Sequence, residues 1–170
     1  CRAGNVIGGG DFSANRIIPD CIRAVEKNEK IIVRNPYSIR PYQHVLEPIM
    51  AYLLIAQLQY QNKNLAGNYN IGPNETDCWA TGSLVDVFCK EWKLQTGNPV
   101  RWIQQYDEGP HEAHFLKLDC SKMKKNFGWS PVWNRETAMQ KIVEWSSCYL
   151  NNGNTVKCME KQIEEFLHDC

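Results

Sequence analysis

The chain reads as an α/β protein, and three features of the sequence say so. Short β-branched or apolar runs, Val6-Ile7 and Ile31-Ile32-Val33 among them, alternate with longer segments of helical periodicity. Prolines stand where helices begin rather than inside them, as at Pro19 and Pro48. Gly72-Pro73 and Gly97-Asn98-Pro99 punctuate the boundaries between segments. Strands followed in turn by helices favour a layered α/β arrangement over an all-helical bundle or a β-sandwich.

Residues 1–7 predict a short buried strand ending in Val6-Ile7. Pro19 suits the first turn of the following helix, where its missing N–H costs nothing, and Ile18, Ile22 and Val25 supply one apolar stripe. Ile31–Val33 predict a compact strand, and the Asn35-Pro36 and Arg40-Pro41 pairs an extended or turning loop after it. Glu47-Pro48 opens the next helix, with a carboxylate at the positive end of the dipole. That helix, running to about Tyr60, is apolar around most of its circumference and is expected to lie inside the fold.

Gly67–Ile71 predict another strand. From about Thr81 to Leu94 a helix places Leu84, Val85, Phe88 and Trp92 on one side, and Val100–Ile103 predict a strand beyond it. Phe115–Leu118 alternate apolar and polar and lead to Asp119, an N-cap for a short helix closing at Gly128. Asn134 caps a helix carrying Ala138, Ile142, Trp145 and Tyr149 at helical spacing. After Gly153, the residues Val156, Met159, Ile163 and Phe166 predict a last amphipathic helix. The division expected is one unit over residues 1–153 and a helical tail over 154–170, without internal repeat or low-complexity linker.

A chain of 170 residues can bury one sizeable core. Its 19 basic residues balance its 19 acidic ones, so no long-range field gathers nucleic acid or an anionic membrane, and neither partner is expected. Lys117, Lys122, Lys124 and Lys125 form a local cluster of the kind that makes a solvated face. The eight cysteines are scattered without a Cys-x-x-Cys pair, several on apolar helix faces, which favours reduced thiols in the cytoplasm over a secreted disulfide framework. The Asn74-Glu75-Thr76 sequon has no signal peptide to support it, and the most apolar stretch, Ile49 to Leu58, is too short to span a bilayer. Opening on Cys1 within a strand pattern, the chain is expected to be a piece of a longer protein.

Gly8-Gly9-Gly10 invites comparison with a phosphate cradle. Ser13 stands where the dinucleotide fingerprint needs its third glycine, and no P-loop lysine follows. His111-Glu112-Ala113-His114 resembles a zinc-protease motif, but its histidines are three apart rather than four, and no third ligand is evident. No Gly-x-Ser-x-Gly elbow supports a hydrolase. The stretch Ser38–Pro48 is richer. Arg40 could clamp phosphate oxygens in a bidentate fork, or it could pair with Glu47 while Tyr42 merely packs. His44, flanked by Val45 and Leu46, suits a hydrogen-bonded core residue.

Taken in order, RAGNVIGGGD, NRIIPDCIRA, IRPYQHVLEP, YNIGP, HEAHFLKLD and GWSP resemble the C-terminal half of the CDP-glucose 4,6-dehydratases, nucleotide-sugar enzymes of the extended short-chain dehydrogenase/reductase family. The resemblance covers about residues 2–150. It implies the last strands of a Rossmann-type parallel sheet joined to a small mixed α/β substrate-binding lobe. It further implies that Ala3 and Gly4 run beside an NAD nicotinamide, that Asn5 donates to the sugar diphosphate, and that the glycine turn is a permissive connection under the substrate. Ile18 and Pro19 would border the nucleotide base, Arg40 would clamp a phosphate, and the loop from His111 to His114 would close over the diphosphate. Related enzymes often supply arginine from that loop, where this chain offers His111 and His114.

The chemistry implied is an internal redox cycle in which NAD takes a hydride from C4 of the glucosyl group, water leaves across C5 and C6, and the hydride returns to C6. The partners implied are CDP-glucose or a related nucleotide-sugar and a homodimer of the complete enzyme. Another epimerase or reductase of the same family, and a non-catalytic sugar-nucleotide-binding module, are the competing readings. None of the seven tyrosines is followed four residues later by lysine, so the family's Tyr-x-x-x-Lys acid/base pair is absent from these residues. No catalytic residue is therefore assigned, and the polypeptide alone is expected neither to hold NAD tightly nor to turn over.

Overall fold

A computed structural model describes residues 1–105 and 114–170. The chain opens with β1 (Arg2–Ala3) and β2 (Asn5–Ile7), then α1 (Ile17–Glu26), β3 (Ile31–Val33), β4 (Ile39–Arg40), β5 (Tyr42–His44) and α2 (Leu46–Gln61). There follow β6 (Asn70–Ile71), β7 (Trp79–Ala80), α3 (Thr81–Thr96), β8 (Trp102–Gln104), α4 (Ser121–Phe127), α5 (Arg135–Leu150) and α6 (Thr155–Asp169). Three strand pairs are parallel, β1 with β6, β2 with β5 and β3 with β8, while β4 and β7 run antiparallel. Parallel neighbours need long crossovers, and here those crossovers carry the helices, as the alternation of strand and helix patterns predicts.

Two apolar clusters hold the molecule together. The larger joins Ile18 and Ile22 of α1 to Ile31 and Val33 of β3, Leu84, Val85 and Phe88 of α3, and Met139, Ile142 and Val143 of α5. The smaller packs Ala51 and Ile55 of α2 against Tyr69, Ile71, Met123, Phe127 and Trp129. Removing such side chains from water is the main stabilising term, worth about 1.5–3 kcal/mol for each large one.

Several helix boundaries match expectation. Pro19 lies in the first turn of α1, α3 buries Leu84, Val85, Phe88 and Trp92, and Gly128 takes the left-handed conformation that closes α4. The Asn134 side chain accepts from Thr137 N–H and so caps α5. Asp119 stands one residue before the position expected of it: Cys120 is the N-cap of α4, while the Asp119 carboxylate accepts from Ser121 N–H at 2.9 Å.

Other expectations are corrected. The first strand is broken at Gly4, where a Cβ would come within 2.5 Å of the Pro41 carbonyl oxygen, so β1 and β2 pair with different partners. The expected loop after β3 contains β4 and β5, whose two- and three-residue lengths leave no periodicity to read. Phe115–Leu118 make only one bridge, Phe115 to Ile39, rather than a strand. Helix α2 is not enclosed: only Glu47, Pro48, Ala51 and Ile55 are buried, and Leu53 is 63 % exposed, because its neighbours cover one side of it. In α6, Val156, Met159 and Ile163 are exposed and the buried pair is Gln162 and Phe166. The face that docks is chosen by Gln162, which donates to the Lys141 carbonyl of α5 at 2.9 Å, and by the edge-on contact of Phe166 with Trp133.

Candidate functional site

Strand β2, the start of α1, the β3–β8 pair and the segment 34–38 enclose a cavity of about 1070 Å³. Parallel pairing sets Asn5 opposite Tyr42 and Val33 opposite Gln104, so residues far apart in sequence share this wall. The Asn5 side-chain amide makes no hydrogen bond among the described residues and lies half-buried in the lining. Beneath it, Ser38, Tyr42 and Thr81 form a hydroxyl cluster: the Ser38 and Tyr42 oxygens lie 3.0 and 3.1 Å from Thr81 Oγ1. Thr81 Oγ1 also donates to the Ser38 carbonyl at 3.1 Å, which ties the segment to the start of α3.

The start of α1 faces the same space through Ile17, Ile18, Pro19 and Asp20. A helix leaves its first N–H groups without partners inside the helix, and the N-cap Arg16 supplies no side-chain bond to them. Arg16 is moreover a cation at the positive end of a dipole, an unfavourable position unless an anion joins it. Its guanidinium lies 3.3 Å from Asp11, whose carboxyl is held below the usual carboxylate range chiefly by hydrogen bonding from Ser13, with Arg16 assisting and partial desolvation opposing. Arg34 brings a second guanidinium to the lining and donates to the Asn15 carbonyl at 3.4 Å. Sequence reasoning did not single out Arg16 or Arg34. The available signal was a basic residue immediately before a helix start, where the dipole disfavours it.

Of the residues expected at the site, Gly4, Asn5, Ile18, Pro19 and His114 all line this cavity. Ala3 pairs with Ile71 on β1 and is outside the lining. Arg40 is 5 % exposed on β4, between the lining residues Ser38 and Tyr42 but not itself among them, and its guanidinium donates to the Ile39 carbonyl at 2.9 Å. The alternative pairing of Arg40 with Glu47 does not occur, because the Glu47 carboxylate accepts instead from the backbone N–H groups of Val132 and Trp133, at 3.0 and 2.7 Å. His111 lies outside the described residues. Among the described residues no group of three metal-ligating side chains occurs.

The glycine turn does not fit a dinucleotide. A Cβ at Gly9 would stand 2.3 Å from the Trp145 ring and one at Gly8 2.8 Å from Val45, so protein side chains already fill the concavity that phosphates would need. The described residues thus gather the Asn5 amide, two guanidinium groups and the Asp11 and Asp20 carboxylates around one cavity, while the glycine turn does not form a dinucleotide cradle.

The fold is the Rossmann-type α/β fold of the extended short-chain dehydrogenase/reductases, seen over part of its length. Three solved structures show this. A UDP-glucose 4-epimerase from Stenotrophomonas maltophila with bound NAD and formylated UDP-arabinopyranose matches with a TM-score of 0.70 at 16 % identity, over 89 % of this chain and 48 % of that one. A UDP-glucuronic acid 4-epimerase from Bacillus cereus in complex with UDP-glucuronic acid and NAD gives 0.69 at 15 % identity, over 87 % and 44 %. A dTDP-glucose 4,6-dehydratase from Bacillus anthracis in complex with NAD gives 0.66 at 20 % identity, over 86 % and 43 %.

In sequence the chain is similar to one particular enzyme of that fold, a CDP-glucose 4,6-dehydratase from Salmonella typhimurium, with 40 % identity over 167 residues. The match covers 98 % of this chain and 45 % of the relative, so the chain spans a little under half the length of the curated protein it matches. The resemblance carried by the motifs is therefore borne out across the whole chain. No family model matches.

Proposed function

We propose that this chain is the substrate-binding part of a nucleotide-sugar dehydratase that converts CDP-glucose to CDP-4-keto-6-deoxyglucose, with NAD as the redox carrier of the complete enzyme. The observation that carries the reading is the convergence of the Asn5 amide, the uncapped start of α1 and the guanidinium groups of Arg16 and Arg34 on one cavity. A sugar diphosphate is an anion that amide and guanidinium donors converging in this way can bind. Asn5 donates to a phosphate or sugar oxygen, Ile18 and Pro19 border the nucleotide base, and His114, in the same lining, is proposed to close over the diphosphate. Arg40, just behind the lining with its guanidinium bonded to the Ile39 carbonyl, is proposed as a second phosphate clamp through its remaining donors. Ala3 and Gly4 are proposed to run past the nicotinamide as backbone, without enclosing it. His111 belongs to the proposal through the resemblance alone.

Eight free thiols suit a reducing, cytoplasmic location. A non-catalytic binding module is the second reading, motivated by the amphipathic helix after Gly153.

Calorimetric titration of CDP-glucose into the polypeptide tests the proposal. Binding is expected, weakened about tenfold by Asn5→Ala, the loss of one hydrogen bond to a charged acceptor. The same solution supplied with NAD is expected to release no 4-keto sugar. Absence of binding overturns the substrate assignment, and detectable turnover overturns the assignment of catalysis to residues outside this chain.

A further inference from the structure

Helices α5 and α6 form a hairpin joined by the short turn 151–154, and polar contacts fix its register. Lys141 of α5 forms an ion pair with Glu165 of α6, and nearer the bend Glu144 accepts from the Gln162 amide at 3.2 Å. The step of three residues from Lys141 to Glu144 is thus mirrored by three residues back from Glu165 to Gln162. A further step of four, which stays on the same helix face, brings Cys148 opposite Cys158.

The two thiols are aimed accordingly. Gln162 Nε2, which docks on the Lys141 carbonyl, also donates to the Cys158 sulfur at 3.7 Å, so that sulfur lies on the face of α6 that meets α5. The Cys148 sulfur points towards the bend, where a Cβ on Gly153 would stand 2.7 Å from it. Hydrogen bonding to the Cys148 thiol is among the effects that keep Cys158 protonated, so the two side chains reach each other. Both cysteines are half-buried, and both thiols are free. The bend between them is held in place: Gly153 N–H donates to the Cys148 carbonyl at 2.8 Å, and the Asn154 side chain caps α6 by accepting from Lys157 N–H at 3.0 Å. Two thiols fixed face to face by their helices can be joined with little movement of the backbone.

We propose that Cys148 and Cys158 are a dithiol that closes to a disulfide when a small-molecule disulfide of the glutathione type accumulates, and that the bond staples α6 to α5. The exchange runs in two steps. The Cys148 thiolate attacks one sulfur of the small disulfide, which forms a mixed disulfide and expels one thiolate; Cys158 then gives up its proton and attacks the Cys148 sulfur, which expels the second. Two protein thiols are oxidised, one small disulfide is reduced to two thiols, and the two protein protons end on the expelled thiolates. Burial and the neighbouring charge of Glu144 push the Cys158 thiol up to about 11, which suits it to the second, intramolecular step, where proximity offsets the scarcity of thiolate. The staple acts at a distance from the bend, because α6 carries Phe166 and Asp169 to Trp133.

The experiment equilibrates the full chain with mixtures of oxidised and reduced glutathione, blocks the remaining thiols by alkylation and maps the cross-linked peptides by mass spectrometry. A link between Cys148 and Cys158 is expected before any other among the eight cysteines. The oxidised chain is expected to melt about 6–10 °C higher than the reduced one, and the rise to vanish on addition of dithiothreitol. In Cys158→Ser, glutathione is expected to remain attached to Cys148; in Cys148→Ser, Cys158 takes up little, and neither variant shows the rise. A first link elsewhere, no link once the exposed Cys1 and Cys170 carry glutathione, or a link that leaves the melting temperature unchanged overturns the staple. A rise that persists in Cys148→Ser overturns it too. Because the link and the rise are read on the unsubstituted chain, the outcome does not depend on any variant folding.

Discussion

Trp133 gathers four polar or aromatic groups around one side chain. Its backbone N–H donates to Glu47, its indole N–H donates to Asp169 at 2.9 Å, and its ring meets His44 and Phe166 edge-on. His44 fits the role of a buried, hydrogen-bonded residue: its Nδ1 accepts from Leu46 N–H at 3.3 Å, which requires that nitrogen to be unprotonated. Burial, and secondarily the positive charge of Lys141, lower its pKa from 6.5 to about 4. Between those two values the unfolded chain binds the proton that the folded chain refuses. Stability is thus fully present above the unfolded value and is lost as pH falls towards the folded one, by up to about 3 kcal/mol. Glu47 has the opposite sign. Burial raises its pKa against the opposing hydrogen bonds from Trp133 and Val132, so acidification relieves rather than aggravates it. Carboxylates held below their usual range, Asp11 and Glu144 among them, add their loss mainly at lower pH, so between neutral pH and about 4.5 the larger part of the loss belongs to His44, and His44→Phe is expected to reduce it. Melting temperatures measured from neutral pH down to about 4.5 check this, and an unchanged slope in the variant refutes it.

Elements were legible where the sequence states their ends. Pro19 announces α1, Asn134 announces α5, and Gly97 and Gly128 close α3 and α4 in left-handed conformations. They were illegible where length or partner choice decides. Strands β4 and β5 flank Pro41 and are too short to alternate. The docking face of α6 follows from neighbours that periodicity cannot weigh: Gln162 bonds to Lys141 and Glu144, and Lys161 forms an ion pair with Glu144. Helix α6 is accordingly more than an appendage. Ending the chain at Gly153 removes the Phe166 ring and the Asp169 carboxylate from Trp133. Such a truncation is expected to lower stability by about 3 kcal/mol, the scale of deleting one large aromatic side chain from a buried site, and to shift Trp133 emission to the red. An unaltered unfolding midpoint in urea would show that α6 merely rests on α5.

At the scale of the whole molecule, the cavity was legible in its outline and not in its charges. The motifs brought Asn5, Ile18, Pro19 and His114 to one concavity, although they are spread across more than a hundred residues of sequence. Arg16 and Arg34 escaped because neither belongs to an apolar pattern, and the motif that contains Arg16 was read for its apolar residues; each acquires its role from the elements that surround it. Arg40 was conspicuous beside Pro41, yet its position behind the lining follows from the pairing of β4 with β7.

The uncovered flank of α2 has a colloidal consequence. Ile49, Tyr52, Leu53 and Tyr60 recur along one side of that helix, and all are exposed. Molecules carrying such an oily ridge, with no net charge to keep them apart, adhere to one another as their concentration rises. Light scattering of the polypeptide should therefore climb with concentration, and Leu53→Lys should suppress the rise while leaving the helix content of the protein as it was. An equally steep rise in that variant would place the adhesive surface elsewhere.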